Sequence, residues 1–137
     1  DEVLRMHPPF WFENRNVRQK TKLAGVDLPV GSIIVMSRYS LHRHSEYWRD
    51  PDQFNPDRFR PKHEENPRSS YAYIPFGGGP RICIGTHFAM MEMLVIMALI
   101  GRHFKVELSC EDRHEMSAAT TMTPKFGVRV IARPRAS

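Results

Sequence analysis

The segment that most constrains the fold is residues 76–85, Phe-Gly-Gly-Gly-Pro-Arg-Ile-Cys-Ile-Gly, a loop that leads directly into a long apolar stretch. Its three consecutive glycines allow positive φ angles and a close approach of the backbone to a bulky partner, and Pro80 stiffens the approach to Arg81. From Thr86 onward the sequence has helix-forming residues and no breaker, so Cys83 is predicted to lie beside a helix N-terminus. The positive end of the helix dipole favours a thiolate there.

The local sequence leaves several uses open for Cys83: a nucleophile, one arm of a disulfide, a zinc ligand or the axial ligand of a haem. Zinc is disfavoured because no second ligand follows at CxxC or HxxxH spacing. A disulfide with Cys110 stays open, and so does nucleophilic catalysis with His87 as the base. A separate metal site at His42 and His44 is disfavoured because alternate residues of a short helix do not converge.

The specified residues of the loop resemble the FxxGxRxCxG signature of the cytochrome P-450 haem-thiolate family at every position, namely Phe76, Gly79, Arg81, Cys83 and Gly85. The resemblance implies that Cys83 is the axial ligand of haem b (iron protoporphyrin IX), whose iron receives electron density from the thiolate, which favours O–O cleavage. Phe76 would then shield the sulfur, and Arg81 would pair with a haem propionate. Gly79 and Gly85 would permit the tight turn and the close approach of the haem.

Two charged motifs elsewhere in the chain extend the resemblance. Glu2 and Arg5 form an ExxR pair at the separation from the cysteine that the family shows. Residues 54–59 (FNPDRF) resemble the family's PERF-like motif, with Asp57 where glutamate is more usual. Arg58 would then complete a buried Glu2–Arg5–Arg58 network. Without the resemblance these residues are interpreted as solvated charges, because an exposed i, i+3 ion pair contributes only about 0.2–0.5 kcal/mol.

The order in which segments occur in the sequences of this family implies further candidate residues for the haem site and the substrate pocket. Arg15 resembles the strand arginine that meets a haem propionate. Phe10 and Trp11, in an extended aromatic run, correspond to a segment along the substrate pocket, and Thr120 and Thr121 correspond to the last substrate-facing loop. From the residues alone, the first segment is equally an ordinary strand and the second an inert turn.

The resemblance implies an α+β chain that forms the C-terminal, haem-ligating part of one mainly helical cytochrome P-450 domain. The predicted parts are the end of a helix at 1–7, a small sheet at 15–36, a proline-rich coil at 49–75, the ligand loop at 76–85, a buried helix at 86–101 and terminal strands at 102–137. Within the sheet we predict strands at 16–23, 26–28 and 32–36, and we expect a terminal hairpin to pair 104–108 with 127–132.

Composition excludes several classes of protein. With 137 residues, 41% hydrophobic and 26% charged, the chain is neither wholly disordered nor embedded in a membrane. The net charge of +5 does not indicate nucleic-acid binding, since the 20 basic residues are spread along the chain. No uncharged run is long enough to span a membrane and no signal peptide opens the sequence. Two distant cysteines fit a reducing compartment, so we expect a cytoplasmic protein, with an anchor on a longer parent left open. Residues 41–44 (LHRH) resemble bacterial members of the family, and this resemblance implies a bacterial source.

The resemblance finally implies an activity. A P-450 monooxygenase inserts one oxygen atom of O₂ into a small organic substrate, with electrons from a ferredoxin or flavoprotein reductase that docks on the Cys83 side. The family's acid–threonine pair, which delivers protons to dioxygen, precedes ExxR and is not among these residues, so the 137-residue chain alone is expected not to turn over. Two alternatives stay open: a truncated haem-binding or structural remnant, and a haem-thiolate peroxygenase or isomerase.

Overall fold

The computed structural model describes residues 1–61, 71–109 and 115–135. They cluster into two compact units, Asp1–Pro75 with Thr120–Met122, and Phe76–Ala119 with Thr123–Ser137. The helices and strands are α1 (Glu2–Met6), β1 (Phe12–Asn16), β2 (Thr21–Leu23), β3 (Val26–Leu28), β4 (Ile33–Ser37), α2 (Arg38–Leu41), α3 (Thr86–His103), β5 (Phe104–Leu108), β6 (Met116–Ala118), β7 (Met122–Pro124) and β8 (Val130–Pro134). Short 3-10 turns lie at Pro56–Phe59 and Gly79–Arg81.

The strands of the first unit form two separate antiparallel pairs, β1 with β4 and β2 with β3. The predicted continuous strand at 16–23 is therefore wrong. The first pairing begins earlier, at Phe12 opposite Ser37, and the ladder extends by one residue at Val17, whose N–H donates to the carbonyl of Ser32 over 2.9 Å. The polar residues 18–20 that follow are not in a strand. The predicted turn after Leu23 is confirmed as the hairpin that joins β2 to β3.

The interior of the first unit is small and unusually polar. Its buried hydrophobic residues are Leu4, Val17, Trp48 and Ala72, and its buried charged or polar residues are Glu2, Arg5, Arg38, His42 and Arg58. Buried charges need partners to offset the loss of hydration. This unit is therefore organised by ion pairs and hydrogen bonds at least as much as by apolar packing.

The proline-rich coil is anchored by aromatic side chains. Trp48 is 1% exposed, and its ring centroid lies 5.9 Å from that of Phe59 and 6.2 Å from that of Tyr73. At the start of the 3-10 turn the side-chain oxygen of Asn55 accepts a hydrogen bond from the N–H of Asp57 at 3.1 Å, which satisfies a free donor at the turn's first residues. The part of the predicted coil at 62–70 lies outside the described residues.

The long helix of the second unit is where predicted, but its predicted burial is wrong. α3 continues through Gly101 to His103, and none of its residues is buried in this chain. Phe88 is 73% exposed and Leu94 is 66% exposed. A helix that is apolar on all sides needs cover on all sides. No layer of the described residues supplies that cover.

The terminal strands pair as predicted. β5 runs antiparallel to β8, from Phe104 opposite Pro134 to Leu108 opposite Val130. β8 begins later than the predicted residue 127, because Gly127 has a φ of 73° and its N–H donates back to the carbonyl of Pro124 in a turn. In the parts of the chain that the structure describes, no helix has the length and apolar character to cross a membrane.

Candidate functional site

Glu2 and Arg5 form a buried two-point ion pair on α1. The Nε of Arg5 lies 2.6 Å from Oε2 of Glu2, and its Nη2 lies 2.8 Å from Oε1. The side chains are 2% and 0% exposed, respectively. The Nε of Arg58 approaches Oε1 of Glu2 at 3.4 Å. The structure thus brings together the three side chains that the ExxR and PERF-like motifs name, and charge-assisted bidentate pairs of this kind are geometrically specific.

The two guanidinium groups also bind backbone carbonyls. Arg5 donates to the carbonyl of His42 at 2.7 Å and to that of Gln53 at 3.3 Å. Arg58 donates to the carbonyl of Asp50 at 2.7 Å. Because these carbonyls belong to the segment that follows α2, the network ties that irregular segment to α1.

The charge state of Glu2 is set by these contacts. Burial on its own would raise the pKa of Glu2, but hydrogen bonds from Arg5 and from the N–H of Asn55, together with the charges of Arg5 and Arg58, outweigh it and lower the pKa. The N–H of Asn55 donates to Oε1 of Glu2 at 2.9 Å. Glu2 is therefore ionised at neutral pH, as the ion pairs require.

Sequence reasoning missed the role of His42, which it considered only as a metal ligand. The residue is fully buried, and its Nε2 accepts a hydrogen bond from the N–H of Ile74 at 3.0 Å. Its ring centroid lies 5.4 Å from that of Tyr73. Burial lowers the pKa of His42 to about 4. A hydrogen bond with the backbone of Arg5 opposes this shift of the pKa, and the positive charges of nearby arginines add to it. In the sequence His42 stands beside Arg43, so no local pattern signalled burial.

Tyr73 closes the same side of the cluster. Its hydroxyl donates to the backbone oxygen and to Oδ1 of Asp1, both at 3.1 Å, and its ring centroid lies 4.8 Å from that of Phe59. Burial, with a contribution from the charge of Glu2, raises the pKa of Tyr73. The phenol is thus a neutral donor that ties the segment at 71–75 to the start of α1.

The predicted propionate partner Arg15 lies on β1 and is held by a neighbour. Its Nη2 lies 2.5 Å from Oε1 of Glu13, and its side chain is 43% exposed. The other carboxylate oxygen of Glu13 pairs with Arg38. Neither Glu13 nor Arg38 was predicted to be a site residue, because a salt bridge between residues on different elements leaves no spacing signature.

The predicted pocket residues of the first unit are neighbours. Phe10 is exposed, and the ring of Trp11 lies 4.5 Å from that of Phe12. The N–H of Met122 donates to the carbonyl of Pro9 at 2.7 Å. This bond places the loop that contains Thr120 and Thr121 beside the aromatic run, as a shared pocket wall requires.

In the second unit, backbone hydrogen bonds shape the loop that carries the cysteine. The N–H of Cys83 donates to the carbonyl of Phe76 at 2.9 Å, which closes the loop on itself. Gly77 and Gly79 have φ angles of 80° and 67°, in the left-handed region that favours glycine. The hydroxyl of Thr86 donates to the carbonyl of Cys83 at 2.7 Å, at the first turn of α3. The prediction that Cys83 lies beside a helix N-terminus is therefore confirmed.

The thiol of Cys83 is exposed on an apolar stretch of the loop. Cys83 is a free, exposed cysteine between the exposed side chains of Ile82 and Ile84. A Cβ added at Gly85 would touch the sulfur at 3.7 Å, so glycine keeps this side of the thiol open. Arg81 is exposed nearby in sequence. No group of three or more metal-ligating side chains occurs among residues 1–61, 71–109 and 115–135, and Cys110 lies outside these ranges.

Comparison with known proteins gives the family. The family model described as "Cytochrome P450" matches residues 1–130. The chain belongs to the cytochrome P450 family. A putative cytochrome P450 132 of Mycobacterium tuberculosis (strain H37Rv) is 37% identical over 134 residues, which cover 98% of this chain and 29% of that protein. Cytochrome P450 CYP72A219 of Panax ginseng is also 37% identical, over 95% of this chain and 25% of that protein. Because relatives at equal identity come from a bacterium and a plant, the similarity does not assign a bacterial origin.

Solved P450 structures share the fold. Retinoic acid bound cyanobacterial CYP120A1 superposes with a TM-score of 0.91 at 29% identity, over 98% of this chain and 31% of that one. The heme domain of cytochrome P450DA gives a TM-score of 0.87 at 29% identity, over 99% of this chain and 30% of that one. The predicted fold class, an α+β part of the P450 fold, is confirmed. The chain spans less than a third of the length of these relatives.

Proposed function

We propose that the gene product that carries this sequence is a haem-thiolate monooxygenase in which Cys83 is the axial ligand of haem b. The observation that carries the proposal is the exposed Cys83 thiol, presented by a glycine-rich loop at the start of α3 in a member of the P450 family. Haem bound in this way supplies the reductive activation of O₂ and the insertion of one oxygen atom into an organic substrate.

The loop's own residues orient the sulfur. The hydrogen bond from the Cys83 N–H to Phe76 and the one from the Thr86 hydroxyl to the Cys83 carbonyl hold both sides of the residue. The 18-residue α3 begins at Thr86, directly after the loop. Gly85 leaves room beside the sulfur, and the exposed Arg81 is available to a propionate. We assign the second propionate contact to Arg15, as in the family.

The buried network supports the ligand site indirectly. Glu2, Arg5 and Arg58 fix the coil to α1 through ion pairs and carbonyl bonds. A buried network of this type contributes more to geometry than to net stability, because desolvation offsets the Coulomb attraction. We propose that it keeps the segment before the ligand loop in one conformation.

Substrate and electron donor follow the family. We assign Phe10, Trp11, Thr120 and Thr121 to the wall of a pocket for a small organic substrate, supported by the hydrogen bond that joins their two segments. Electrons would come from a ferredoxin or flavoprotein reductase on the Cys83 side. The chain covers less than a third of its relatives, and the role we assign to these 137 residues is ligation of the haem.

The ferrous carbon monoxide difference spectrum of the gene product tests the assignment. Thiolate ligation predicts the red-shifted band that marks haem-thiolate proteins, and Cys83→Ser is expected to remove it. Cys110→Ser is the matched control, since it removes the other cysteine of these 137 residues and should leave the band in place. Retention of the band in Cys83→Ser, or its loss in Cys110→Ser alone, would refute the assignment.

A further inference from the structure

His42 stands between the buried charge network and the segment that enters the cysteine loop. The Nη1 of Arg5 donates to the carbonyl of His42 at 2.7 Å. The imidazole of the same residue accepts the N–H of Ile74 through Nε2 at 3.0 Å. In the sequence Ile74 is followed by Pro75 and then by Phe76, the first residue of the loop. The backbone carbonyl of His42 thus binds Arg5, and the side chain of His42 binds the chain just before the loop.

The environment of the ring fixes its orientation. His42 is 0% exposed, and its centroid lies 6.4 Å from that of Trp48 and 5.4 Å from that of Tyr73. Trp48 itself stacks against Arg5, whose Cζ lies 5.2 Å from the indole centroid. A ring enclosed in this way cannot turn without displacing its neighbours. Its Nε2 is therefore held toward the backbone of Ile74.

The imidazole must be neutral to accept this hydrogen bond, because both nitrogens of an imidazolium are donors. Burial and the nearby positive charges of Arg5, Arg38 and Arg43 favour the neutral ring. The ring nitrogen that faces Ile74 is then an acceptor at neutral pH. A donor at this position would leave the Ile74 N–H without a partner.

We propose that His42 is a positioning residue for the haem ligand: its Nε2 anchors the backbone at Ile74 and so sets how the loop that carries Cys83 begins. This inference rests on the haem-thiolate function proposed above. It differs from a packing role in one respect. Packing requires a side chain of similar size, whereas anchoring requires a hydrogen-bond acceptor at the position of Nε2.

Two substitutions in the haem-loaded gene product separate these roles. His42→Leu fills the site without an acceptor, and His42→Gln offers a side-chain oxygen at similar reach. The first readout is amide hydrogen exchange at Ile74, with the Asn55 N–H as internal reference because it bonds to Glu2 instead. The second readout is the fraction of the bound haem whose carbon monoxide complex shows the thiolate-type band.

For His42→Leu we expect exchange at Ile74 to accelerate by about tenfold or more while Asn55 stays within about threefold of its original rate. The thiolate-type share should fall severalfold. For His42→Gln both readouts should remain close to those of the unmodified protein. This pattern supports anchoring through the acceptor.

Three results would overturn the inference: a normal thiolate-type share in His42→Leu despite fast exchange at Ile74, equal acceleration at Ile74 and Asn55, or a lost thiolate-type band in His42→Gln with Ile74 still protected. If His42→Leu does not fold, His42→Met takes its place, because its side chain is of similar size and its thioether is only a weak acceptor. Fast exchange at Ile74 in His42→Met beside retained protection in His42→Gln supports the acceptor role, and equal protection in the two variants overturns it. Failure of the haem-thiolate function is distinguishable, because it removes the thiolate-type band from the unmodified protein.

Discussion

Replacing Arg58 by alanine should destabilise the fold far more than an ordinary loop substitution. Its side chain is 2% exposed and pairs with Glu2 across 3.4 Å. Its guanidinium also donates to the carbonyl of Asp50 at 2.7 Å. Arg58→Ala removes these contacts and, among the residues that the structure describes, leaves Glu2 with Arg5 as its single arginine partner in a buried site.

Burial sets the magnitude of this effect. Breaking a buried ion pair by removing one partner costs about 3–5 kcal/mol, because the remaining charge stays desolvated. Arg60 provides a matched control in the same segment. It pairs with Asp57 at 2.8 Å, but the two side chains are 74% and 52% exposed. Exposed pairs contribute about 0–1 kcal/mol, so Arg60→Ala should have little effect.

Urea denaturation followed by circular dichroism and tryptophan fluorescence measures the difference. The expected result is a loss of about 3–5 kcal/mol for Arg58→Ala and of less than about 1 kcal/mol for Arg60→Ala. In the haem-loaded gene product, Arg58→Ala should correspondingly lower the yield of folded holoprotein. If the two variants differ by less than about 1 kcal/mol, Arg58 does not act as part of a buried network.

Three further predictions concern acid stability, glycine conformation and the thiol. The pKa of His42 is lowered from 6.5 to about 4, so protonation of this ring should lower the free energy of unfolding by about 3 kcal/mol as the pH drops from 6.5 to 4. Denaturation at several pH values measures this loss, and the free energy of unfolding of His42→Gln should fall less steeply with pH. The lowered pKa of Glu2 adds a loss of the same sign below pH 4.5. Gly79→Ala should destabilise the protein by about 1–2 kcal/mol, because Gly79 has a φ of 67°. Gly101→Ala, in open space on α3, should stabilise it by about 0.5–1 kcal/mol. The denaturation midpoints of the two variants should therefore shift in opposite directions. Iodoacetamide should modify the exposed Cys83 of the haem-free protein at the rate of an accessible thiol, and bound haem should block this reaction. Peptide mapping measures the extent of modification in both forms.

Much of the site was predictable because its residues obey short-range rules. The specified residues of the loop at 76–85 are close in sequence, and the helix after Gly85 follows from an uninterrupted run of helix formers. The Glu2–Arg5 pair is a helical i, i+3 spacing, but its burial and its link to Arg58 both needed the family pattern. The structure brings these three side chains together.

The missed features depend on contacts between distant segments. The hydrogen bond from Ile74 to His42 joins residues that no periodicity relates, and Glu13 pairs with Arg38 from another element. The burial of α3 was wrongly predicted for a different reason. An apolar pattern shows what a helix requires from its surroundings, and the described residues of this chain do not provide it.

Haem ligation by Cys83 requires a bond between its sulfur and the haem iron. Iron K-edge X-ray absorption of the haem-loaded gene product measures this bond directly. The expected result is a sulfur atom in the first coordination shell of the iron, which is lost in Cys83→Ser and retained in Cys110→Ser. A first shell of nitrogen and oxygen atoms alone, or a sulfur signal that persists in Cys83→Ser, would contradict it.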